Sequence, residues 1–136
     1  MLINDFSEFQ DVVIAGLDDA IYGKPMPKPL FEGEFRPYPK DRPTILLCHE
    51  PDYAADLDFG ISLVVSGHTH GGQICMPFGL PIHLPRLGKN YVSGWYPNEK
   101  TPMYVSRGIG MVGLPFRTFC RPEVAILDIE PLPQPI

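Results

Sequence analysis

Short apolar runs that stop abruptly at polar or glycine-rich stretches set the rhythm of this chain. Val12-Val13-Ile14-Ala15-Gly16-Leu17 stops at Asp18-Asp19, Thr44–Leu47 at Cys48-His49, and Leu63–Val65 at Ser66-Gly67-His68. Brief runs bounded by turn formers predict buried strands. Further strands are expected at Asn90–Ser93, Met103–Ser106 and Val124–Ile129, the last apolar at alternating positions. Asp52 is placed to cap a single helical turn through Tyr53-Ala54-Ala55-Asp56. No long segment carries a helical apolar period, and no internal repeat or domain boundary is visible. The pattern predicts one strand-dominated domain over residues 1–136, with few helices.

Proline modifies that picture. Of seventeen prolines, six fall between Pro25 and Pro43, a segment that reads as a long stiff surface loop, neither helix nor central strand. Hydrophobic residues at 44% and charged residues at 20% are ordinary for a soluble globular protein. A net charge of −5 argues against a nucleic-acid partner, which would select clustered Lys and Arg. The apolar runs are too short to cross a bilayer, and Met1–Gln10 carries no signal-peptide pattern. Three cysteines without CxxC spacing read as reduced thiols in a cytoplasmic setting. Cys48, next to His49, reads as a core residue whose side chain leaves the opposite face of its strand.

The candidate chemistry lies at the strand exits. Three of the four histidines, His49, His68 and His70, follow the second and third apolar runs. In an extended segment His68 and His70 leave the same face. Neutral imidazoles so arranged suit capture of a divalent metal such as Mn, Zn or Fe. His83, between Pro81 and Pro85, reads instead as an ordinary surface residue. Arg107 and Arg117 flank glycine-rich turns, so they are candidates for substrate contact, with salt bridges or loop anchoring the alternative.

Ile45-Leu46-Leu47-Cys48-His49-Glu50-Pro51-Asp52 followed by Val65-Ser66-Gly67-His68-Thr69-His70-Gly71-Gly72-Gln73 resembles the calcineurin-like metallophosphoesterase family. Gly16-Leu17-Asp18-Asp19, Tyr104-Val105-Ser106-Arg107-Gly108-Ile109-Gly110, Leu114-Pro115-Phe116-Arg117 and Arg121-Pro122-Glu123 resemble one bacterial branch of it. That branch contains membrane-associated phosphodiesterases and UDP-diacylglucosamine pyrophosphatase-type enzymes. The resemblance implies a two-sheet sandwich and two divalent ions that clamp a phosphoryl group and activate water. It implies that His49 and His68 serve one ion and His70 its neighbour. It implies a phosphorylated small-molecule or lipid-linked substrate.

The same resemblance exposes a gap. The family's Asp-x-His, Gly-Asp-x-x-Asp and Gly-Asn-His motifs are absent, and no histidine precedes His49. The chain thus resembles the C-terminal half of such an α/β (α+β) fold, with the N-terminal half missing. Three neutral histidines without a carboxylate are not expected to assemble a two-metal cluster alone. The expectation is a fragment inactive by itself and complemented by a missing N-terminal half. That half would also carry any membrane anchor, and its absence would leave an apolar face free for self-association. A non-catalytic module that holds one metal or mediates assembly is the alternative. A single-metal barrel of cupin type is disfavoured, because Gln73 stands where a glutamate is needed.

Overall fold

The computed structural model describes residues 1–130. Its strands are β1 (Asp5–Phe9), β2 (Val12–Gly16), β3 (Thr44–Leu47), β4 (Leu63–Ser66), β5 (Cys75–Met76), β6 (Leu80–Pro81), β7 (Gly94–Tyr96) and β8 (Met103–Val105). Its α-helices are α1 (Pro27–Glu32) and α2 (Pro51–Ala55). One six-stranded sheet runs β1-β2-β3-β4-β8-β7, and β5 with β6 forms a separate two-stranded ribbon. The four central strands are parallel, while β1 and β7 close the edges antiparallel. This is a strand-dominated α/β architecture with a mixed sheet, as the apolar rhythm predicts.

Alternation along the strands selects the core. Val13 and Ala15, Leu46, Val64, and Met103 and Val105 lie almost fully buried on one face of the sheet. Phe6, Leu30, Phe31, Ala54, Leu57 and Ile61 cover them from the flanking elements. Phe31 stacks on Phe59 with ring centroids 5.0 Å apart and meets Tyr38 edge-on at 5.2 Å. The opposite face is less covered: Leu47, on the central strand β3, stays 42% exposed.

Four sequence expectations are corrected. The proline segment is not all loop, because α1 begins at Pro27. Proline at the first helical positions loses only amides that a helix start leaves unpaired, and Gly33 at φ 80° ends the helix. Asn90–Ser93 is not a strand. The pairing with β8 comes from Gly94–Tyr96, while the amides of Asn90 and Tyr91 are held by Asp52. Asp52 therefore does not cap the helical turn: α2 starts at Pro51 with Glu50 at its N-cap position, and Asp52 reaches across to the later loop. Val124–Ile129 pairs with no strand among the described residues, and Ile126 stays 87% exposed despite its alternating pattern. β1 was not anticipated, since only Phe6 of its five residues is buried. Among the described residues no helix is long and apolar enough to cross a membrane.

Leu46 sits on a central strand with no exposed surface. Leu46→Ala is expected to cost about 2–5 kcal/mol of stability, read as a lowered urea midpoint with an unchanged slope.

Candidate metal centre

Parallel strands deliver their C-terminal ends to one rim. β2 leads to Asp18-Asp19, β3 to His49-Glu50, and β4 to the turn that carries His68 and His70. A cavity of about 640 Å³ opens there, lined by Asp19 and by all four histidines, His49, His68, His70 and His83. Its other wall is apolar, with Ile74, Ile82, Val112 and Leu114. The rim therefore gathers the three candidate histidines, and adds His83, whose proline-flanked position reads as ordinary surface.

The histidines are not equivalent. The rings of His49 and His68 lie 5.0 Å apart at 70°. His49, Glu50 and His68 each offer a ligand atom within 4.8 Å of the others, while His70 stands outside that tight group. His68 Nε2 lies 2.7 Å from the Arg86 carbonyl, and His70 Nδ1 lies 3.1 Å from the Gly110 carbonyl. A carbonyl only accepts, so each of these nitrogens carries the proton. In the neutral ring His68 Nδ1 and His70 Nε2 are then left with free lone pairs. Histidines that ligate metals are usually oriented in this way.

Holding them so requires an unusual backbone. His68, His70 and Gln73 have φ of 67°, 52° and 52°, a region that side chains other than glycine rarely adopt. Thr69, almost fully buried, braces the turn: its hydroxyl accepts from the Gly71 amide and donates to the Val92 carbonyl. Gly71, at φ 63°, cannot be replaced without strain, since a Cβ there would come within 2.8 Å of Arg107 and Cys120.

Two further loops are tied to the turn. Asp52 accepts the amides of Lys89, Asn90 and Tyr91, fixing the loop whose Arg86 carbonyl aims His68. Gln73 donates to the carbonyls of Val112 and Leu114 and accepts the Val112 amide, fixing the loop whose Gly110 carbonyl aims His70. Arg107 and Arg117 lie behind the rim and do not line the cavity. Arg107 faces Glu123 at 3.7 Å. Arg117 donates to the carbonyls of His70, Arg107, Gly108 and Gly110 at 2.6–3.2 Å, which is the loop-anchoring alternative.

Electrostatics separate ligands from bystanders. The amides of Tyr22 and Ile21 hold the Asp19 carboxyl below the usual range, and a side-chain contact with Glu50 and then nearby His49 act in the same direction. Burial, with the negative charge of Glu50 adding to it, pushes the Cys48 thiol up to about 12, so it offers no thiolate. Glu50 is the residue that sequence reading missed. It has no exposed surface, and its Oε1 has no hydrogen-bond partner among the described residues. Adjacency to His49 was its only signal, because a glutamate before a helix-starting proline reads as ordinary. Two imidazoles, that of His68 oriented by the Arg86 carbonyl, beside a buried, unsatisfied carboxylate oxygen fit a divalent cation.

No protein-family model and no solved structure matches the chain. Curated relatives do. The chain is 42% identical over 120 residues to an uncharacterized metallophosphoesterase, YkuE, of Bacillus subtilis, covering 88% of this chain and 41% of that protein. It is 35% identical over 105 residues to phosphodiesterase YaeI of Escherichia coli, covering 74% of this chain and 38% of that protein. It is 36% identical over 96 residues to a Bos taurus transmembrane protein with a metallophosphoesterase domain, covering 68% and 21%. The chain thus spans less than half the length of these relatives.

Lys at position 117 cannot reproduce a planar fork shared among four carbonyls. Arg117→Lys is expected to lower stability by about 1–3 kcal/mol, measured by chemical denaturation.

Proposed function

The chain belongs to the calcineurin-like metallophosphoesterase family, and on that premise we propose that it carries part of a metal-dependent phosphoesterase centre hydrolysing a phosphodiester or pyrophosphate. The observation that carries this reading is the convergence of His49, His68 and His70 on one cavity at the rim of four parallel strands. In this reading His49 and His68 hold one divalent ion, Mn, Zn or Fe, and His70 holds its neighbour. When bound, such ions polarise phosphoryl oxygens and lower the pKa of water enough for attack at phosphorus near neutral pH. The chain's own residues orient and enclose. The Arg86 and Gly110 carbonyls aim the imidazoles, and Arg117 anchors the loop around His70. Ile74, Ile82, Val112 and Leu114 keep one wall apolar. That wall supports a phosphorylated small molecule or a lipid-linked phosphate with an apolar portion as substrate. The relative YaeI, a phosphodiesterase, supports the same reaction class.

Residues 1–136 are read as one partial domain. The remaining ligands come from sequence outside them, in keeping with the 41% share of YkuE that the chain spans. The site is read as facing the cytoplasm. A membrane tie through a further segment is supported by the transmembrane relative in Bos taurus. The tight His49–Glu50–His68 group favours one competing reading, a module that holds a single metal without catalysis.

Hydrolysis of bis-p-nitrophenyl phosphate with Mn²⁺ separates the two. The chain alone is expected to show no turnover above the Mn²⁺ blank. Joined to complementing N-terminal metallophosphoesterase sequence, it is expected to turn over substrate, with His68→Ala lowering the rate about 100-fold. Vigorous hydrolysis by the isolated chain would refute the partial site, and no gain on complementation would favour the single-metal module.

A further inference from the structure

Glu50 is the most unusual side chain of the rim. It follows His49 at the exit of β3, and none of its surface is exposed. One oxygen, Oε2, accepts the Ala20 amide at 3.0 Å. The other, Oε1, has no partner among the described residues, and no Lys or Arg there pairs with the carboxylate. A buried carboxylate oxygen left without a donor is costly, and folds retain one where a cation or a ligand satisfies it. Its position at the N-cap of α2 does not explain it, since the side chain makes no capping hydrogen bond there. Beside it lie the Asp19 carboxyl, in side-chain contact with it, and the ligand atoms of His49 and His68, within 4.8 Å. The Arg86 carbonyl takes His68 Nε2, which leaves Nδ1 as the nitrogen free to bind a ligand.

We propose that Glu50 Oε1 is a metal ligand, completing with His49 and His68 a two-histidine, one-carboxylate site for a divalent cation that lies entirely within this chain. The inference rests on the metal reading of the rim and deepens it. The bound ion meets an anionic ligand of this chain, so one ion binds without any carboxylate from elsewhere. The expectation that the chain offers only neutral ligands is thereby replaced. Two imidazoles and a carboxylate suit Zn²⁺, Mn²⁺ or Fe²⁺. The apolar cost of Glu50 in the metal-free chain becomes a stabilisation once the ion is present, because binding to the folded state alone raises its stability.

Titration calorimetry and thermal unfolding of the 136-residue chain with Zn²⁺ and Mn²⁺ test this. The wild-type chain is expected to bind one ion and to gain in Tm on binding. Glu50→Gln keeps an oxygen for the Ala20 amide. It is expected to weaken affinity about 10–100-fold and to lose most of the metal-induced gain, without lowering the Tm of the metal-free chain. Glu50→Asp, which keeps the charge on a shorter arm, is expected to fall between wild type and Glu50→Gln. Wild-type affinity in Glu50→Gln overturns the proposal. So does a metal-free Tm that collapses in that variant, since Glu50 would then be structural. If His49→Ala and His68→Ala abolish binding while Glu50→Gln does not, only the role of Glu50 fails. If the wild-type chain binds no ion, the metal reading fails with it.

Discussion

A side chain that follows a strand is placed only as well as the strand itself, and here four strands share one direction. The parallel pairing of β2, β3, β4 and β8 brings Asp19, His49, Glu50, His68 and His70 to the same edge, although they are spread over fifty residues or so of sequence. Reverse one central strand and the group disperses to opposite ends of the sheet. The buried face formed by Val13, Leu46, Val64 and Met103 keeps those strands in register, because a one-residue slip would turn each of them outward. Core packing and site geometry are therefore one problem in this chain.

The loops add a second layer of control. Positive φ at His68, His70 and Gln73 is unfavourable locally, so it persists only where neighbours over-determine it. Thr69, Asp52, Gln73 and Arg117 do so with hydrogen bonds to main-chain groups, many of them far away in sequence. The result is a set of imidazoles whose protonated nitrogens face carbonyls and whose lone pairs are free for a ligand. The Arg117 guanidinium ties four carbonyls of this scaffold together.

Much of this was legible before any coordinates. The runs at residues 12–17, 44–47 and 63–65 announce β2, β3 and β4, because short buried strands need nothing beyond local apolar continuity. The histidines at their exits follow directly. What failed depends on distant partners. Asn90–Ser93 looks like a strand, yet its first two amides are claimed by Asp52 from across the fold and its last two by the Tyr96 hydroxyl. Val124–Ile129 has the alternation of a strand and no pairing neighbour among the described residues. β1 is mostly polar and becomes a strand because β2 offers it a free edge. Glu50 was passed over for the same reason. Neither its complete burial nor its unsatisfied oxygen can be read from the residues beside it.

Family membership sets the chemistry expected of this rim, while the share of the relatives that the chain spans sets how much of that chemistry it can hold. The candidate ligands within residues 1–130 are grouped in two tiers, a close set of His49, Glu50 and His68 and a His70 outside it. Anomalous diffraction at the zinc edge from crystals of the Zn²⁺-loaded chain tests that grouping most directly. A peak between His49 and His68, at about 2.0–2.1 Å from an imidazole nitrogen of each, is the predicted result. A peak at the cysteines or elsewhere on the surface, with those two rings uncoordinated, would contradict it.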